Sequence, residues 1–242
     1  MTHASQNQPS TDTLTARLKS ENWDMHQIAE HSHGQGSVLR GELSLPAYIE
    51  LIDQGHLVHR VLDEAAQHAA SKRPDLAPLM ADEHMLGQHF AKDLAHFGIS
   101  PDSTEALAGT ERFVEHIQAV KDEPLKVLGL HYVRTGASNG NSFVAKHARE
   151  AFDLPTTGEG TAHLAPYGER QRAAWGALKQ TLDGLNLTAQ EQDTVIASAR
   201  SMYAHYICWH RESHLSAAEL VNEHESSLDK DAFDQAHAVP NR

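Results

Sequence analysis

His26 and Glu30 stand four residues apart in the stretch LKSENWDMHQIAEHSHG, so on a helix they share one face, a turn from each other. A neutral imidazole binds a metal through one ring nitrogen, and the proton on the other nitrogen needs an acceptor. A carboxylate one turn away can take that hydrogen bond and fix the tautomer. Lys19 precedes His26 by seven residues, which is two turns along the same face and roughly 10 Å of axis. One helix face thus offers a metal ligand, its orienting carboxylate and a cation for an acidic group. Taken alone, a His-x-x-x-Glu spacing on a helix is usually a surface pair worth about 0.2–0.5 kcal/mol.

A second unusual stretch is TGASNGNS at positions 135–142, with Gly136 and Gly140 four apart. Glycine inside a helix costs roughly 1 kcal/mol relative to alanine, so two of them need a reason. Either another helix comes very close, or a softened backbone lies over a flat ligand. A third set, Glu30, Glu64, Glu83, His84 and Asp93, contains the ligand types of a carboxylate-bridged di-iron centre, provided that the fold converges them.

The elements that must carry these residues read as helices throughout, and no stretch alternates as a strand. The first helix is expected from about Asp12 to Ser32, with Leu14, Leu18, Met25, Ile28 and Ala29 as its buried stripe, and HGQGSVLRGE breaks it. Ser44 caps a second helix that tolerates Pro46 in its first turn, with Leu45, Ile49, Ile52, Val61, Leu62 and Ala65 facing inward. A third helix is expected from about Asp75 to Phe97, stopped by Gly98 in a left-handed cap. A shorter helix covers about Glu111 to Val120. Pro124 starts a long one to about Phe152, interrupted by TGASNGNS. After the linker PTTGEGTAHLAP, a helix from about Tyr167 to Leu182 closes at Gly184. Thr188 and Glu191 form a capping box for the last helix, which reaches Leu215 or beyond. The expectation is one all-α domain of about seven helices over residues 12–224, between a flexible lead-in (1–11) and a loose polar tail (225–242).

Composition excludes several function classes. Lys+Arg 20 against Asp+Glu 33 gives a net charge of −13, which disfavours binding to nucleic acid or an anionic membrane. Apolar runs fall well short of the roughly 20 residues of a membrane span, and the polar start MTHASQNQPSTDT does not read as a signal peptide. A single cysteine, Cys208, excludes an internal disulfide and suits a reducing cytoplasm. The 19 histidines follow no zinc-finger spacing.

Together these stretches resemble the heme oxygenase family. LKSENWDMHQIAE resembles the family's opening helix, whose His-x-x-Ala-Glu motif carries the proximal ligand, here His26, Ala29 and Glu30. EHMLGQHFAKDLAHFG resembles its third helix, and LKQTLDGLNLTAQEQDTVIASARSMY its last two. AVKDEPLKVLGLHYVRTGASNGNSFVAKHAREAF resembles the distal helix, most of all in the bacterial branch, where Tyr-Val leads into Glu-Gly-Ser-x-Leu-Gly. The likeness runs from about Leu14 to Leu220.

The resemblance implies a single-domain, multi-helical heme oxygenase-like fold and a haem-binding monooxygenase with His26 as iron ligand, oriented by Glu30. The expected products are biliverdin, Fe(II) and CO. O2 is the co-substrate. Electrons come from a separate reductase or ferredoxin, because the chain carries no flavin or nicotinamide fingerprint. Gly136, Ser138, Asn139 and Gly140 are the expected catalytic positions, steering O2 through backbone and water. Lys19, Lys179 and Tyr132 are expected at the propionates, and Tyr203 and Tyr206 in the inner pocket. There are departures. Thr135, Asn139 and Asn141 replace the branch's usual Glu, Leu and frequent Gly, and Ala137 and Ser138 stand where many members carry an aspartate. A position expected to be basic is Asn22 or Trp23 here. Those departures favour a non-cleaving haem carrier or sensor as the alternative, with the di-iron oxidase as a third reading.

Overall fold

A computed structural model describes residues 13–31 and 35–214. The expected lead-in and tail, and the ends of the first and last expected helices at Asp12, Ser32 and Leu215, lie outside the described residues. Those residues form nine α-helices: α1 (Leu14–Glu21), α2 (Trp23–His31), α3 (Gln35–Arg40), α4 (Leu45–Lys72), α5 (Gly87–His96), α6 (Ala108–Val120), α7 (Pro124–Phe152), α8 (Gln171–Asp183) and α9 (Ala189–His214). No strand occurs among them. The long helices α4, α7 and α9 pack on one another with α6 against α4 and α9, and their shared core holds Leu62, Phe113, Ile117, Leu128, Val195 and Met202. None of these helices is long and apolar enough to cross a membrane.

Local signals set most of the boundaries. Ser44 Oγ accepts from Ala47 N at 3.4 Å, and Gly98 stops α5 with φ +72°. At the start of α9 the Thr188 amide donates to Glu191 Oε2 at 2.8 Å, while the Glu191 amide donates to Thr188 Oγ1 at 3.3 Å. The expected inner face of α4 holds at Ile52, Val61, Leu62 and Ala65, but Leu45 is exposed and Tyr48 is buried in its place.

Four expectations are corrected. The first helix is two: Asn22 leaves helical geometry at φ −117°, ψ 10°, with its side-chain amide donating to Leu18 O at 3.1 Å, a local bond that competes with the helix ladder. The segment expected to break it contains α3. The expected third helix shrinks to α5, preceded by short 3-10 turns at Pro74–Leu76 and Asp82–His84. Partners from other helices hold that non-helical backbone: Asp63 accepts from Leu86 N and Gly87 N at 3.2 and 2.7 Å, and His131 Nε2 donates to Leu79 O at 2.8 Å. Finally, α7 runs unbroken through TGASNGNS. Thr135, Ser138 and Ser142 donate their hydroxyls back to carbonyls of the helix. Glycine at 129 admits the α9 backbone, where an added Cβ would lie 2.7 Å from Ser198 Cβ.

Burial has a titration consequence. It is the first cause lowering the pKa of His56, His84, His89 and His131, the last well below its ordinary value. The unfolded chain keeps imidazoles near about 6.5, so below that pH it binds protons that the folded chain refuses. The stabilising contribution is therefore complete above about pH 6.5 and is lost as pH falls. The thermal midpoint is expected to drop between about pH 7.5 and 5.5; a flat profile would show these rings charging freely within the fold.

Candidate functional site

The α1–α2 pair lies across α8 and α9 and is pinned there by its exposed face. Thr15 donates its amide and hydroxyl to Asp183 on α8 at 2.9 and 2.8 Å. Arg17 donates to Asp193, and Arg200 to Asp24, from α1 to α9 and from α9 to α2. Met25 packs beneath, against Ala204 and Ile207. Between α1–α2 and the middle of α7 these contacts leave an open slot of about 750 Å³, within the range of pockets that enclose a cofactor.

One wall of the slot is Lys19, Asn22, Trp23, His26, Ala29 and Glu30. The opposite wall is α7, from Tyr132 and Val133 through Gly136, Ala137, Asn139, Gly140 and Asn141 to Phe143 and Val144. Trp175 and Lys179 of α8, Leu39 of α3 and Tyr203 and Tyr206 of α9 complete it. The structure thus gathers Lys19, His26, Glu30, Tyr132, Gly136, Asn139, Gly140, Lys179, Tyr203 and Tyr206 around one space. Ser138 is not among them. It is buried on the far side of α7, its hydroxyl donating to Thr135 O at 2.6 Å and accepting from Gln171 Nε2 at 2.7 Å. At about 100° per residue, position 138 falls about 200° from both Gly136 and Gly140, so the helical period itself excludes it.

Among the described residues, His26 is the one imidazole on the slot wall. Its Nδ1 is buried with no hydrogen-bond partner and lies 3.6 Å from Glu30 Oε2, just beyond hydrogen-bonding distance. The side chain as a whole is 39% exposed, so the ring presents its other atoms outward while Nδ1 is turned to the carboxylate. Tyr203 meets the ring edge-on at 6.0 Å, and Trp23 stacks on it at 5.2 Å.

The two glycines differ. An added Cβ at Gly136 would come 3.2 Å from the Trp175 ring, whereas at Gly140 it would meet nothing within 4 Å. Gly140 thus keeps slot space open that no protein atom uses. Gly140→Ala is expected to raise stability by roughly 0.5–1 kcal/mol, the helix-interior difference between the two residues. It should also weaken uptake of a flat ligand. Thermal melts and ligand titration read the two effects separately.

Burial, followed by the charge of Asp183, pushes the Tyr132 hydroxyl up to about 12, and burial also raises Tyr203 and Tyr206. All three are therefore neutral phenols at ordinary pH. Behind α7 a smaller chamber of about 40 Å³ adjoins the slot through Ala137, Asn141, Val144 and Tyr206, with room for a water or two. Arg134, His59 and His163 line it. Tyr206 Oη and His59 Nε2 are hydrogen-bonded at 2.9 Å, and His163 Nδ1 donates to the buried Asp93 at 2.7 Å. Neither histidine was singled out by the sequence, where 19 histidines dilute any one. Trp175 and Phe143 were missed for a similar reason, since single aromatics on helices read as core, and Trp23 entered only as a departure at a position expected to be basic.

The candidate di-iron ligands stay apart. Glu30 is on the slot, Glu64 pairs with Arg60 and Glu83 with Arg170 at the surface, His84 bonds Tyr167 and Asp93 bonds His163. Among the described residues no three metal-ligating side chains converge.

Comparison with known proteins adds four findings. The profile of the family described as heme oxygenase matches residues 12–212. Bovine heme oxygenase 1 is 22% identical over 196 residues, covering 78% of this chain and 68% of that protein. Among solved structures, heme oxygenase from Leptospira interrogans superposes with a TM-score of 0.76 at 20% identity over 84% of this chain and 100% of that one. Heme oxygenase-2 from Synechocystis, in complex with heme and NO, gives 0.77 at 17% identity over 93% and 92%.

Proposed function

Because the chain belongs to the heme oxygenase family, we propose that it binds haem in the slot between α1–α2 and α7 and degrades it with O2 to biliverdin, Fe(II) and CO. Electrons are supplied by a separate reductase or ferredoxin. What carries this reading is His26: one imidazole on the wall of an open slot, its buried nitrogen turned to Glu30.

The residues present fit the group. His26 would ligate the iron, with Glu30 as the partner of its other nitrogen. Lys19 and Lys179, with the neutral hydroxyl of Tyr132, would hold the propionates. Gly136 and Gly140 would let α7 lie close over the macrocycle, which Ala29, Val133, Val144 and Phe143 would pack against. Haem, once bound, supplies the iron that activates O2 and the ring that is cleaved. The protein's own part is to orient that ring, exclude bulk water and keep protons at hand. Tyr206 and its partner His59 stand where slot and chamber meet and can exchange a proton with water held there. Asn139 presents a polar side chain beside Gly136, and its amide already donates to Gly136 O at 3.3 Å.

The absence of an acidic side chain from the α7 wall favours one alternative, a carrier that binds haem without cleaving it. Reconstitution with haem followed by reductant in air separates the two. Loss of the Soret band with formation of a green bilin is the result expected. An intact Soret band would overturn cleavage and leave binding, and failure to take up haem would overturn both.

A further inference from the structure

Trp23 has no part in the function described above, yet among the described residues it is one of few large apolar side chains left exposed, at 45%. Its indole lies nearly parallel to the His26 imidazole, with centroids 5.2 Å apart and planes 11° from one another. Lys19 Nζ stands 5.8 Å from the centroid of the same indole. Lys19 comes from the turn before Trp23 and His26 from the turn after, so the three side chains form a column along the slot wall.

The helix does not supply this alignment by itself. The break at Asn22, with φ −117° and ψ 10°, falls between Lys19 and Trp23, so backbone geometry alone does not carry register from the cation to the imidazole. Glu30, with its nearest oxygen 3.6 Å from Nδ1, and Tyr203, edge-on at 6.0 Å, touch the ring's rim and do not set the plane in which it lies. Arg200 ties the chain on either side of the break, donating to Glu21 O and Asp24, but of the slot-wall side chains it is the indole that reaches both ways, to Lys19 across the break and to His26 within α2.

We propose that Trp23 is a positioning residue which fixes the ring plane of His26 and the ammonium of Lys19 together, so that the ligand end and the carboxylate-binding end of the slot are held as one unit. The proposal rests on the haem-slot reading for its function, though not for its geometry. Stacking and cation–π attraction are the forces involved, and both need a flat ring. A lysine at position 23 would add charge to the slot but could not stack.

Proton NMR of the haem-free protein tests the column directly. In wild type the His26 ring protons and the Lys19 ε-methylene are expected upfield, under the indole ring current. Trp23→Leu and Trp23→Lys should lose both shifts, and Trp23→Phe should keep both in reduced form. Haem titration should then show affinity about tenfold weaker in Trp23→Leu, from the summed contacts, largely recovered in Trp23→Phe and not in Trp23→Lys. Unmoved His26 or Lys19 signals in Trp23→Leu would overturn the proposal, as would wild-type affinity in Trp23→Lys or a Trp23→Phe protein indistinguishable from Trp23→Leu. Wild type that takes up no haem would overturn the slot reading instead, while the haem-free spectra still decide whether the column exists.

Discussion

His26→Ala is expected to abolish the axial-histidine spectrum of the haem complex and to lower bilin formation by at least roughly 100-fold. The lower bound comes from metal sites in which removing only the hydrogen-bond partner of a ligand costs 10–100-fold; removing the ligand itself exceeds that. The fold should survive, because the ring is 39% exposed and surface substitutions of this kind usually change stability by about 0.5 kcal/mol or less. Free imidazole added to the variant should enter the vacated space and restore part of the spectrum. Glu30→Ala is expected to fall between wild type and His26→Ala, at the 10–100-fold loss of a partner alone. A His26→Ala protein with an unchanged Soret band would assign the iron ligand elsewhere.

The second large effect concerns stability. Arg134 on α7 has a fully buried side chain that pairs with Asp63 on α4 and donates from Nη2 to His131 Nδ1 at 2.8 Å. Because His131 Nε2 must donate to the Leu79 carbonyl, its Nδ1 carries the lone pair that Arg134 needs, consistent with a pKa held well below the ordinary value. Asp63 in turn accepts the two amides that begin α5, and glycine at 87 allows that approach, since a Cβ there would lie 2.8 Å from Asp63 Oδ2. Arg134→Leu removes one partner of a buried pair and leaves the carboxylate uncompensated, which costs about 3–5 kcal/mol. For a chain of this size, that lowers the thermal midpoint by roughly 6–20 °C. Adding Asp63→Leu should recover part of the loss, because the two residues act as one network. A midpoint within 2 °C or so of wild type would mean that water already satisfies the pair.

What the amino-acid sequence determined by itself is whatever depends on neighbours within about four residues. Ser44, Gly98 and the Thr188–Glu191 pair place helix ends because a cap is a local hydrogen bond or a local backbone angle. The four-residue spacing of His26 and Glu30 is likewise enough to put imidazole and carboxylate on one face, and the same period, applied to position 138, would have kept Ser138 off the slot. Tertiary structure decided the rest. The expected third helix lost half its length to Asp63 and His131, and α7 kept its helix through two glycines while packed among α4, α8 and α9. Lys19 and Lys179, Tyr132 and Tyr203, and the tryptophans beside them reach a common slot across separations of up to about 180 positions. No local energy encodes that meeting. It follows from burying the apolar faces of α4, α7 and α9, which leaves one gap that the α1–α2 pair borders but does not fill.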